Sequence, residues 1–435
     1  MKIRKIALRL LSDYESRGAY SNLALSSHLV DPLTVSERAT LTALFYTTVE
    51  RKLTLDYYIG ALAGRSVEDL DPYTRNVLRL GLCQIVYMDR IPDYAAVNET
   101  VKLGRGGGER ALLNGVLRRA VKEKDSLPLP PKEKNYHRYL SLKHSIPLWI
   151  VRHAFSLFDE EEAVRYLESV NEKPPLTVTV NTTKISRDDY LRALLHAGIS
   201  AEATKRSPTG VRILDPIQPK GLYGYTDGLF FVQDEASALV ALALDARAGE
   251  RVIDVCACPG GKSFGAALTM GDVGEVLAMD LHESKLPLVE DGARRLGLSS
   301  VRVMAHDATA ADESLIGSAD RLICDVPCSG LGVLWKKPDL RYKSEESVGA
   351  LPALSLSILN ESVRYLKRGG TMVFSTCTTR REENEEVLAA FLDAHPEMSR
   401  VPFSDGLCEY KDGVCRTFAH RDGCDGFFIA KLQKN

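Results

Sequence analysis

The chain of 435 residues lacks any long apolar run that is free of charge. No stretch approaches the roughly 18 residues that a membrane-spanning helix needs, so no contact with a membrane is expected. The N-terminal stretch Met1–Leu11 interleaves basic with apolar side chains and has neither the apolar core nor the cleavage site of a signal peptide. It predicts an amphipathic helix and a cytoplasmic protein.

The chain also lacks a cysteine pattern that would support disulfides or a zinc site. Its nine cysteines are odd in number and scattered, and no two form a CxxC pair. Disulfides are rare in a reducing compartment. Cys408, Cys415 and Cys424 match no common zinc spacing, so no metal is expected and a structural role is predicted for them.

A dominant charge of one sign is missing as well. The net charge is −2, which by itself argues against a nucleic-acid binder. The distribution is uneven, however. Residues 1–150 carry 23 Lys and Arg against 16 Asp and Glu, whereas residues 151–435 carry 33 against 42. Such asymmetry is typical of a nucleic-acid-binding module joined to a catalytic domain.

The chain does contain a buried strand that runs into a tight glycine turn, Val252–Lys262. Gly260 and Gly261 let the backbone approach a ligand, and a helix starting just after the turn would point free N–H groups at it. A second strand ends in Asp280, at the distance where nucleotide-binding α/β folds hold a ribose. An ordinary strand–helix turn is the alternative, because a glycine turn alone is a weak signal.

Further strands alternate with helical segments, which predicts a doubly wound, mostly parallel sheet. The predicted strands are Val252–Val255, Val276–Met279, Val301–Met304, Arg321–Cys324 and Thr371–Phe374, with an antiparallel closing strand at Phe427–Leu432. Ligands bind such sheets at the carboxyl ends of the strands. Four aspartates fall at or near those ends: Asp254, Asp280, Asp307 and Asp325. Four such coincidences favour a ligand site over chance.

The chain is predicted to be multidomain. Residues 1–125 show helical periodicity and predict an all-α bundle. Residues 126–138 are rich in proline and predict an extended linker. Residues 139–232 predict a small α+β domain that is expected to offer a second RNA-contacting surface, and residues 233–435 predict the α/β domain. Long helices are expected at Ile150–Ser169 and Leu351–Leu366.

Two cysteines follow the last two parallel strands. Cys328 lies in Asp325-Val-Pro-Cys-Ser-Gly-Leu-Gly332, and Cys377 lies in Ser375-Thr-Cys-Thr378. Because the two strands are commonly neighbours, both thiols are expected to face one cleft. Thr379-Arg-Arg-Glu382 reads as a capping box, which predicts a helix over 383–394 just beyond Cys377. A helix N-terminus there would lower the pKa of the thiol and favour the reactive thiolate.

Six motifs follow one another in the second half of the chain. They are Phe231-Val-Gln-Asp-Glu-Ala-Ser237, Pro259-Gly-Gly-Lys262, Asp325–Gly332, Lys337-Pro-Asp339, Ser375–Thr378 and Asp425-Gly-Phe-Phe428. Together they closely resemble the S-adenosylmethionine-dependent RNA cytosine-C5 methyltransferases of the Nol1/Nop2/Sun family, and the resemblance covers residues 230–435. It implies a Rossmann-like class I methyltransferase domain.

The front of the chain resembles the NusB-like helical RNA-binding domain. The resemblance is carried by Gly81–Glu99 and Leu113–Arg119, and it extends back to Gly18–Asn22. It implies an RNA-docking module, and the two domains together are most similar to bacterial enzymes that methylate a cytosine of 16S ribosomal RNA. The expected partner is RNA rather than DNA, and a monomer is expected. Candidate RNA contacts are Arg118, Arg119, Lys122 and Lys337, and for the first three a solvated helix face is the alternative.

The resemblance also implies residue roles. Asp280 holds the cofactor ribose, Asp307 lies by the adenine, and Asp325 contacts both cofactor and target base. Cys377 is the nucleophile, and Cys328 acts as an acid/base that helps release the product. The cofactor loop is formed by Cys256, Ala257, Cys258, Pro259, Gly260, Gly261 and Lys262.

From the residues alone, the order of the two cysteines stays open, because DNA cytosine methyltransferases use a Pro-Cys cysteine as the nucleophile. Cys377 is favoured by the predicted helix and by the family. A transfer-RNA methyltransferase and a non-catalytic RNA-binding factor are the alternative functions. Cys258, Ser263 and Thr378 stand where the family usually has Ala, Thr and Ser, and we expect these changes to be tolerated. Trp335 stands where the family usually has Arg, so one positive charge near the substrate path is missing and the exact RNA site is in question. Alternatively, the Trp335 ring stacks on a base.

Overall fold

A computed structural model of the protein describes residues 2–17 and 33–435. The resemblance predicted at Gly18–Asn22 lies outside these residues. The chain divides into two compact units, which are described separately below. The first comprises Met1–Glu172 and Leu334–Tyr342, and the second comprises Lys173–Val333 and Lys343–Asn435.

The first unit is helical in the part that the structure describes. Its helices are α1 (Lys2–Arg17), α2 (Val35–Glu50), α3 (Lys52–Ala63), α4 (Pro72–Tyr87), α5 (Asp93–Val101), α6 (Gly107–Lys122), α7 (Tyr136–His144), α8 (Leu148–Leu157) and α9 (Glu160–Ser169). Helix α4 shows why the sequence folds this way locally: Asp71 caps its N-terminus and Pro72 occupies its first turn. The buried face of α4 packs into a core shared by α1 to α6, so the predicted all-α bundle is confirmed.

Helices α7 to α9 differ from their prediction. Asn135 caps α7, so the predicted linker already turns helical at Tyr136. The helix predicted over Ile150–Ser169 is two helices, because Asp159 caps a new one and breaks the first at Phe158. All three helices group with the first unit rather than with the strands that follow. This division by contacts differs from the predicted domains 1–125, 139–232 and 233–435, and those domain boundaries stay a prediction.

A segment from far along the chain completes the first unit. Residues Leu334–Tyr342 belong to it, and the side chain of Arg341 is fully buried there. Its guanidinium donates to Asn171 Oδ1 and to the Val170 carbonyl, each at 2.9 Å. The hydroxyl of Tyr342 donates to the Val49 carbonyl at 2.8 Å. These bonds satisfy backbone acceptors at helix ends that would otherwise be buried without partners.

The second unit begins with a small antiparallel sheet. Its strands are β1 (Leu176–Val180), β2 (Ala201–Ala203), β3 (Gly210–Ile213) and β4 (Phe230–Val232), in the order β2-β3-β1-β4, and helix α10 (Arg187–His196) lies between β1 and β2 in sequence. The helix buries Tyr190 against Phe230 of the sheet.

A larger sheet fills the rest of the second unit. Its strands are β5 (Arg251–Asp254), β6 (Glu275–Asp280), β7 (Val301–Ala305), β8 (Ala319–Asp325), β9 (Leu366–Thr376), β10 (Met398–Arg400), β13 (Val414–Thr417) and β14 (Phe427–Lys434); β11 (Phe403–Ser404) and β12 (Glu409–Tyr410) pair separately. The order is β10-β14-β9-β8-β5-β6-β7, with β13 also on β14. Strands β5 to β9 are parallel and β14 is antiparallel, as predicted.

Helices cover both faces of this sheet. The helices of this region are α11 (Glu235–Leu244), α12 (Gly261–Thr269), α13 (Leu286–Leu296), α14 (Glu345–Gly349), α15 (Leu351–Ser362), α16 (Glu385–Ala394) and α17 (Ala419–Asp422). Helices α11 to α13 contribute to one core cluster, and α15 and α16 contribute to the other. Helix α15 is shorter than predicted, because Leu366 already pairs with Ala319 of β8 and so starts β9. Within the described residues, no helix is both long and apolar enough to cross a membrane.

Candidate active site

Acidic side chains gather at one edge of the large sheet. Asp254, Asp280 and Asp325 are the last residues of β5, β6 and β8, and Asp307 lies two residues beyond β7. Strand β5 pairs with both β6 and β8, so the carboxyl ends of these strands meet. The structure thus brings the predicted aspartates to the edge where ligands bind parallel sheets.

The glycine turn packs closely against the first turn of α12. Gly260 has φ +106°, and a Cβ on it would lie 2.5 Å from the ring of Phe264. Only glycine meets both conditions without strain. The Cys258 N–H donates to Asp280 Oδ2 at 3.3 Å, and the His282 N–H donates to Oδ1 at 2.9 Å. The carboxylate predicted to hold a ribose is therefore oriented by the turn itself.

Asp254 is fully buried beneath this turn. One of its oxygens accepts from the Ser263 hydroxyl at 2.7 Å, and the other has no partner. Burial raises the pKa of Asp254 to about 7. Ser263, where the family usually has threonine, supplies the hydroxyl that this carboxyl needs.

Asp307 differs from Asp254 in being exposed. It accepts from the backbone N–H and the hydroxyl of Thr309, at 2.9 and 2.7 Å. These hydrogen bonds hold the pKa of Asp307 below its ordinary value. The side chain therefore stays an anionic acceptor.

Lys262 and Asp325 form an ion pair between the turn and the end of β8. Their Nζ–Oδ2 distance is 2.5 Å, and Asp325 Oδ1 accepts from the Ser375 hydroxyl at 2.8 Å. The ammonium also lies 5.2 Å from the centre of the Phe427 ring. Burial lowers the pKa of Lys262, but Asp325 outweighs burial and the net pKa is raised. Lys262 therefore stays charged beside the cysteines.

The two predicted cysteines lie in contact. The Sγ atoms of Cys328 and Cys377 are 3.2 Å apart, because β8 and β9 are neighbours and Asp325 pairs with Ser375. The expectation that the two loops bring both thiols together is confirmed, whereas the cleft stays a prediction. The hydrogen bond to Cys377, and then burial, raise the pKa of the Cys328 thiol well above its ordinary value. A thiol with a raised pKa keeps its proton, so Cys328 is the protonated partner of the pair.

The capping box predicted after Cys377 is wrong. Arg381–Glu383 forms a 3₁₀ turn, and α16 begins only at Glu385. The interruption comes from Asn384, whose φ and ψ of −115° and −90° are not helical. Its side chain instead donates to the Thr378 carbonyl at 3.0 Å and accepts from the Thr376 hydroxyl at 2.5 Å. Lys262 and the Cys328 thiol, not a helix N-terminus, favour a thiolate at Cys377.

Sequence reasoning missed the residues that hold these loops. Gln233 bridges the small sheet and the glycine turn, accepting from the Thr179 hydroxyl at 2.8 Å and donating to the Gly261 carbonyl at 3.0 Å. Glu383 accepts from the Ser329 N–H at 2.7 Å. Gln233 lies within a motif noted above, whereas nothing local in the sequence marks Glu383, because its partner is 54 residues away.

The candidate RNA contacts all belong to the first unit. They are Arg118, Arg119, Lys122 and Lys337, and each is exposed. Arg119 also donates to the Leu62 carbonyl at 3.1 Å and pairs with Glu123, so it has a structural role besides any RNA contact. Trp335 is half-buried, and the ammonium of Lys336 lies 5.6 Å from the centre of its ring.

Three family models match the chain. The model described as 16S rRNA methyltransferase RsmB/F matches residues 241–433, that of the NusB family matches residues 1–122, and that of the RsmF/B-like ferredoxin-like domain matches residues 146–219. The matches therefore fall on the catalytic half, the front helices and the region between them.

Curated relatives match over the full length. The chain is 35% identical to the probable ribosomal RNA small subunit methyltransferase B of Bacillus subtilis (strain 168), over 99% of this chain and 98% of the relative. It is 30% identical to the ribosomal RNA small subunit methyltransferase B of Serratia proteamaculans (strain 568), over 99% of this chain and 98% of the relative.

Solved structures agree with these matches. The crystal structure of PH0851 is similar with a TM-score of 0.80 at 26% identity, covering 100% of this chain and 98% of the other. The structure of NSun6 from Pyrococcus horikoshii with SFG, an S-adenosylmethionine analogue, has a TM-score of 0.57 at 23% identity. It covers 66% of this chain and 98% of the other, and shows the fold alone.

Proposed function

Since this chain belongs to the RsmB family of S-adenosylmethionine-dependent ribosomal RNA methyltransferases, we propose that it methylates C5 of a cytosine in 16S ribosomal RNA. The observation that carries the proposal is the contact between the Cys328 and Cys377 thiols at the carboxyl edge of the sheet. We expect the protein to act as a monomer, on RNA rather than DNA.

The chemistry of cytosine explains why a thiolate is needed. C5 of cytosine is not nucleophilic by itself, so the ring must be activated before C5 can take a methyl group. Methyltransferases that modify exocyclic amines carry the motif Asp/Asn-Pro-Pro-aromatic, whereas this chain has a cysteine in the corresponding motif, Asp325-Val-Pro-Cys328. When a thiolate forms a bond to C6, the ring electrons move toward C5, which becomes enamine-like and able to accept a methyl group. The target base must leave its stack for C6 to be reached.

Cys377 is the proposed nucleophile and Cys328 the proposed acid/base. In the free protein we assign the donor role in the contact between the two thiols to Cys328, because the contact raises its pKa, and this favours a thiolate on Cys377. Once Cys377 is bonded to C6, that hydrogen bond is lost, and with it the largest cause that raises the pKa of Cys328. Cys328 can then release its proton to solvent and take the proton of C5. Elimination breaks the S–C6 bond and returns the thiolate to Cys377.

Asp325 and Lys262 are proposed to orient the target base. The ion pair fixes the Asp325 carboxylate at the end of β8, three residues before Cys328. We propose that Asp325 contacts both cofactor and base, and that Lys262 offsets negative charge that develops on the pyrimidine ring.

The glycine turn fits an adenosyl cofactor. The exposed carboxylate of Asp307 and the carboxylate of Asp280, which the turn orients through the Cys258 N–H, supply acceptors of the kind that an adenosyl group needs. Residues Cys256–Lys262 would hold S-adenosylmethionine, with Asp280 at the ribose and Asp307 by the adenine. When bound, the cofactor supplies a methyl group on a sulfonium.

One assay tests the proposal. The protein is supplied with methyl-labelled S-adenosylmethionine and naked 16S RNA, assembled small subunits or bulk transfer RNA, and the products are digested to nucleosides. Labelled 5-methylcytidine from 16S RNA or small subunits is the expected result. Label in transfer RNA alone would overturn the target. Cofactor binding with no 5-methylcytidine in any RNA would overturn the reaction and favour a non-catalytic RNA-binding factor.

A further inference from the structure

Two loops carry the cysteines, and they are joined by more than the thiol contact. The loop after β8 contains Cys328 and Ser329, and the loop after β9 contains Cys377 and Thr378. The hydroxyls of Ser329 and Thr378 are 2.6 Å apart, and the Gly332 N–H donates to the Cys377 carbonyl at 3.0 Å. The thiol contact is therefore one of several contacts that join these two loops.

A buried carboxylate in the segment after β9 also binds the loop after β8. The side chain of Glu383 is 1% exposed, and its Oε2 accepts from the Ser329 N–H at 2.7 Å. Its Oε1 has no hydrogen-bond partner, and the nearest cation is Arg380, with Nε 3.7 Å away. A buried carboxylate with a hydrogen bond to only one of its oxygens is costly, so we expect it to serve the structure or the chemistry of the site.

We propose, resting on the function proposed above, that Glu383 is a positioning residue for Cys328. Its carboxylate holds the peptide N–H immediately after Cys328, and thereby keeps that thiol against Cys377. The family motifs noted above do not contain Glu383, and the proposed catalytic steps assign it no part.

The charge of Glu383 has a second, separable effect. It faces Cys328 together with Cys377 and Asp325, and all three raise the pKa of the Cys328 thiol. Burial raises the pKa of Glu383 itself, which Ser329, Arg380 and Lys343 oppose. Lys343 also donates to the Cys328 carbonyl at 3.4 Å. Removing the negative charge at 383 should therefore lower the pKa of Cys328.

Two conservative variants separate position from charge. Glu383→Gln keeps the size and one acceptor but removes the charge. Glu383→Asp keeps the charge but is one methylene shorter and cannot reach the Ser329 N–H without a shift. Glu386→Gln is the matched control, because it makes the same charge change at an exposed position of the same segment.

The first readout is turnover on the RNA that the wild-type protein methylates. We expect Glu383→Asp to lower kcat by about tenfold to a hundredfold, as a misplaced catalytic group does, with little change in the KM for S-adenosylmethionine. Because elimination is the step that needs Cys328, the covalent RNA adduct should accumulate in denaturing gels. Glu386→Gln should match the wild type.

The second readout is the pH dependence of Cys328 alkylation by iodoacetamide, followed by mass spectrometry in a Cys377→Ala background. Glu383→Gln should shift the pKa of Cys328 downward, and Glu383→Asp should leave it in place. The inference is overturned if both variants turn over as fast as the wild type. It is also overturned if the melting temperature and the turnover of both variants fall together, with no covalent RNA adduct and no shift in the pKa of Cys328. A wild-type protein that forms no 5-methylcytidine would instead refute the proposed function.

Discussion

At the scale of single residues, the site depends on how a few charges and thiols share protons. Cys328 and Cys377 lie 3.2 Å apart, so the ionisation of one sets that of the other. Lys262 and Asp325 form the neighbouring ion pair. Asp254 is fully buried, and burial is the largest cause that raises its pKa, with Ser263 and Lys262 opposing it and Asp325 adding to it. These three environments make different predictions.

The cysteine roles predict opposite behaviour for two substitutions. Cys377→Ala should abolish turnover while cofactor binding survives, because the proposed nucleophile is lost. Cys328→Ala should let the S–C6 bond form but slow its release, so an RNA-shifted band should accumulate in a denaturing gel. Retained turnover in Cys377→Ala, or an adduct that depends on Cys328 instead, would reverse the assignment.

Asp254 predicts a pH-dependent stability. Its pKa is raised to about 7 by burial, above its value of about 4 in an unfolded chain. The folded state binds the proton more tightly, so this contribution to stability is complete below the unfolded pKa and is lost as pH rises through about 7.

The test compares urea unfolding of the cofactor-free wild type with Asp254→Asn. The wild type should lose stability relative to the variant between about pH 4 and pH 7, by at most about 4 kcal/mol for three pKa units. Asp291→Asn, a change at an exposed carboxylate, should show no such trend. A wild-type–variant difference that does not change with pH would contradict the assignment.

At the scale of elements, the active-site loops are set by the contacts between strands and turns. Strand β8 pairs with both β5 and β9, so the loop after β8 lies between the glycine turn and the loop of Cys377. The far end of that loop packs on the start of β14, where the Gly426 N–H donates to the Gly332 carbonyl at 2.8 Å. Backbone lies directly against backbone there.

This packing predicts that Gly332 tolerates no side chain. A Cβ on Gly332 would lie 1.8 Å from the Gly426 carbonyl oxygen, so the loop and the strand would have to separate. We expect Gly332→Ala to cost about 1–3 kcal/mol and to reduce turnover, because the Gly332 N–H also holds the Cys377 carbonyl. Gly349→Ala is the control, since no atom lies within 4 Å of its Cβ position. Equal stability and turnover in the two variants would refute the close approach.

At the scale of the whole molecule, the two units are not two consecutive stretches of chain. Leu334–Tyr342 leaves the catalytic half in sequence and belongs to the first unit, where Arg341 is fully buried. A cut at residue 172 would therefore remove a part of that unit. The Pro-rich stretch between α6 and α7 does not mark its end either.

Arg341 should accordingly matter for the stability of the first unit. Arg341→Met leaves the Val170 carbonyl and the Asn171 side chain without a donor, which should cost on the order of 3 kcal/mol. The exposed Lys337 in the same segment provides the control Lys337→Met. Hydrogen exchange of α9 reports the loss locally. Unchanged protection in Arg341→Met would show that the buried guanidinium contributes little.

RNA binding by the first unit is best tested by point substitutions. Deleting residues 1–125 is expected to weaken RNA binding more than cofactor binding, but it would also remove partners of Tyr342. Replacing Arg118 and Lys122 by alanine should raise the Kd for RNA and lower its salt dependence, because fewer phosphates are neutralised. Cofactor affinity should not change. Arg294→Ala, at an exposed position of the second unit, is the control, and an equal effect there would argue against a docking face.

The sequence by itself determined the parts of this protein that depend on local pattern. β-Branched runs, glycine at a turn and aspartates after strands predicted the parallel sheet and the residues at its carboxyl edge. The order of the motifs identified the family. Each of these signals is carried by neighbouring residues, so no knowledge of the tertiary structure was needed.

Only the tertiary structure decided which distant groups meet. The helix predicted over 383–394 begins only at Glu385, because Asn384 bonds the backbone of the preceding loop instead of continuing a helix. Glu383 reaches Ser329, and Leu334–Tyr342 joins a unit that begins more than 300 residues earlier. Such contacts form because burial leaves polar groups to be satisfied by whatever lies nearby in space, and spacing along the chain does not encode that.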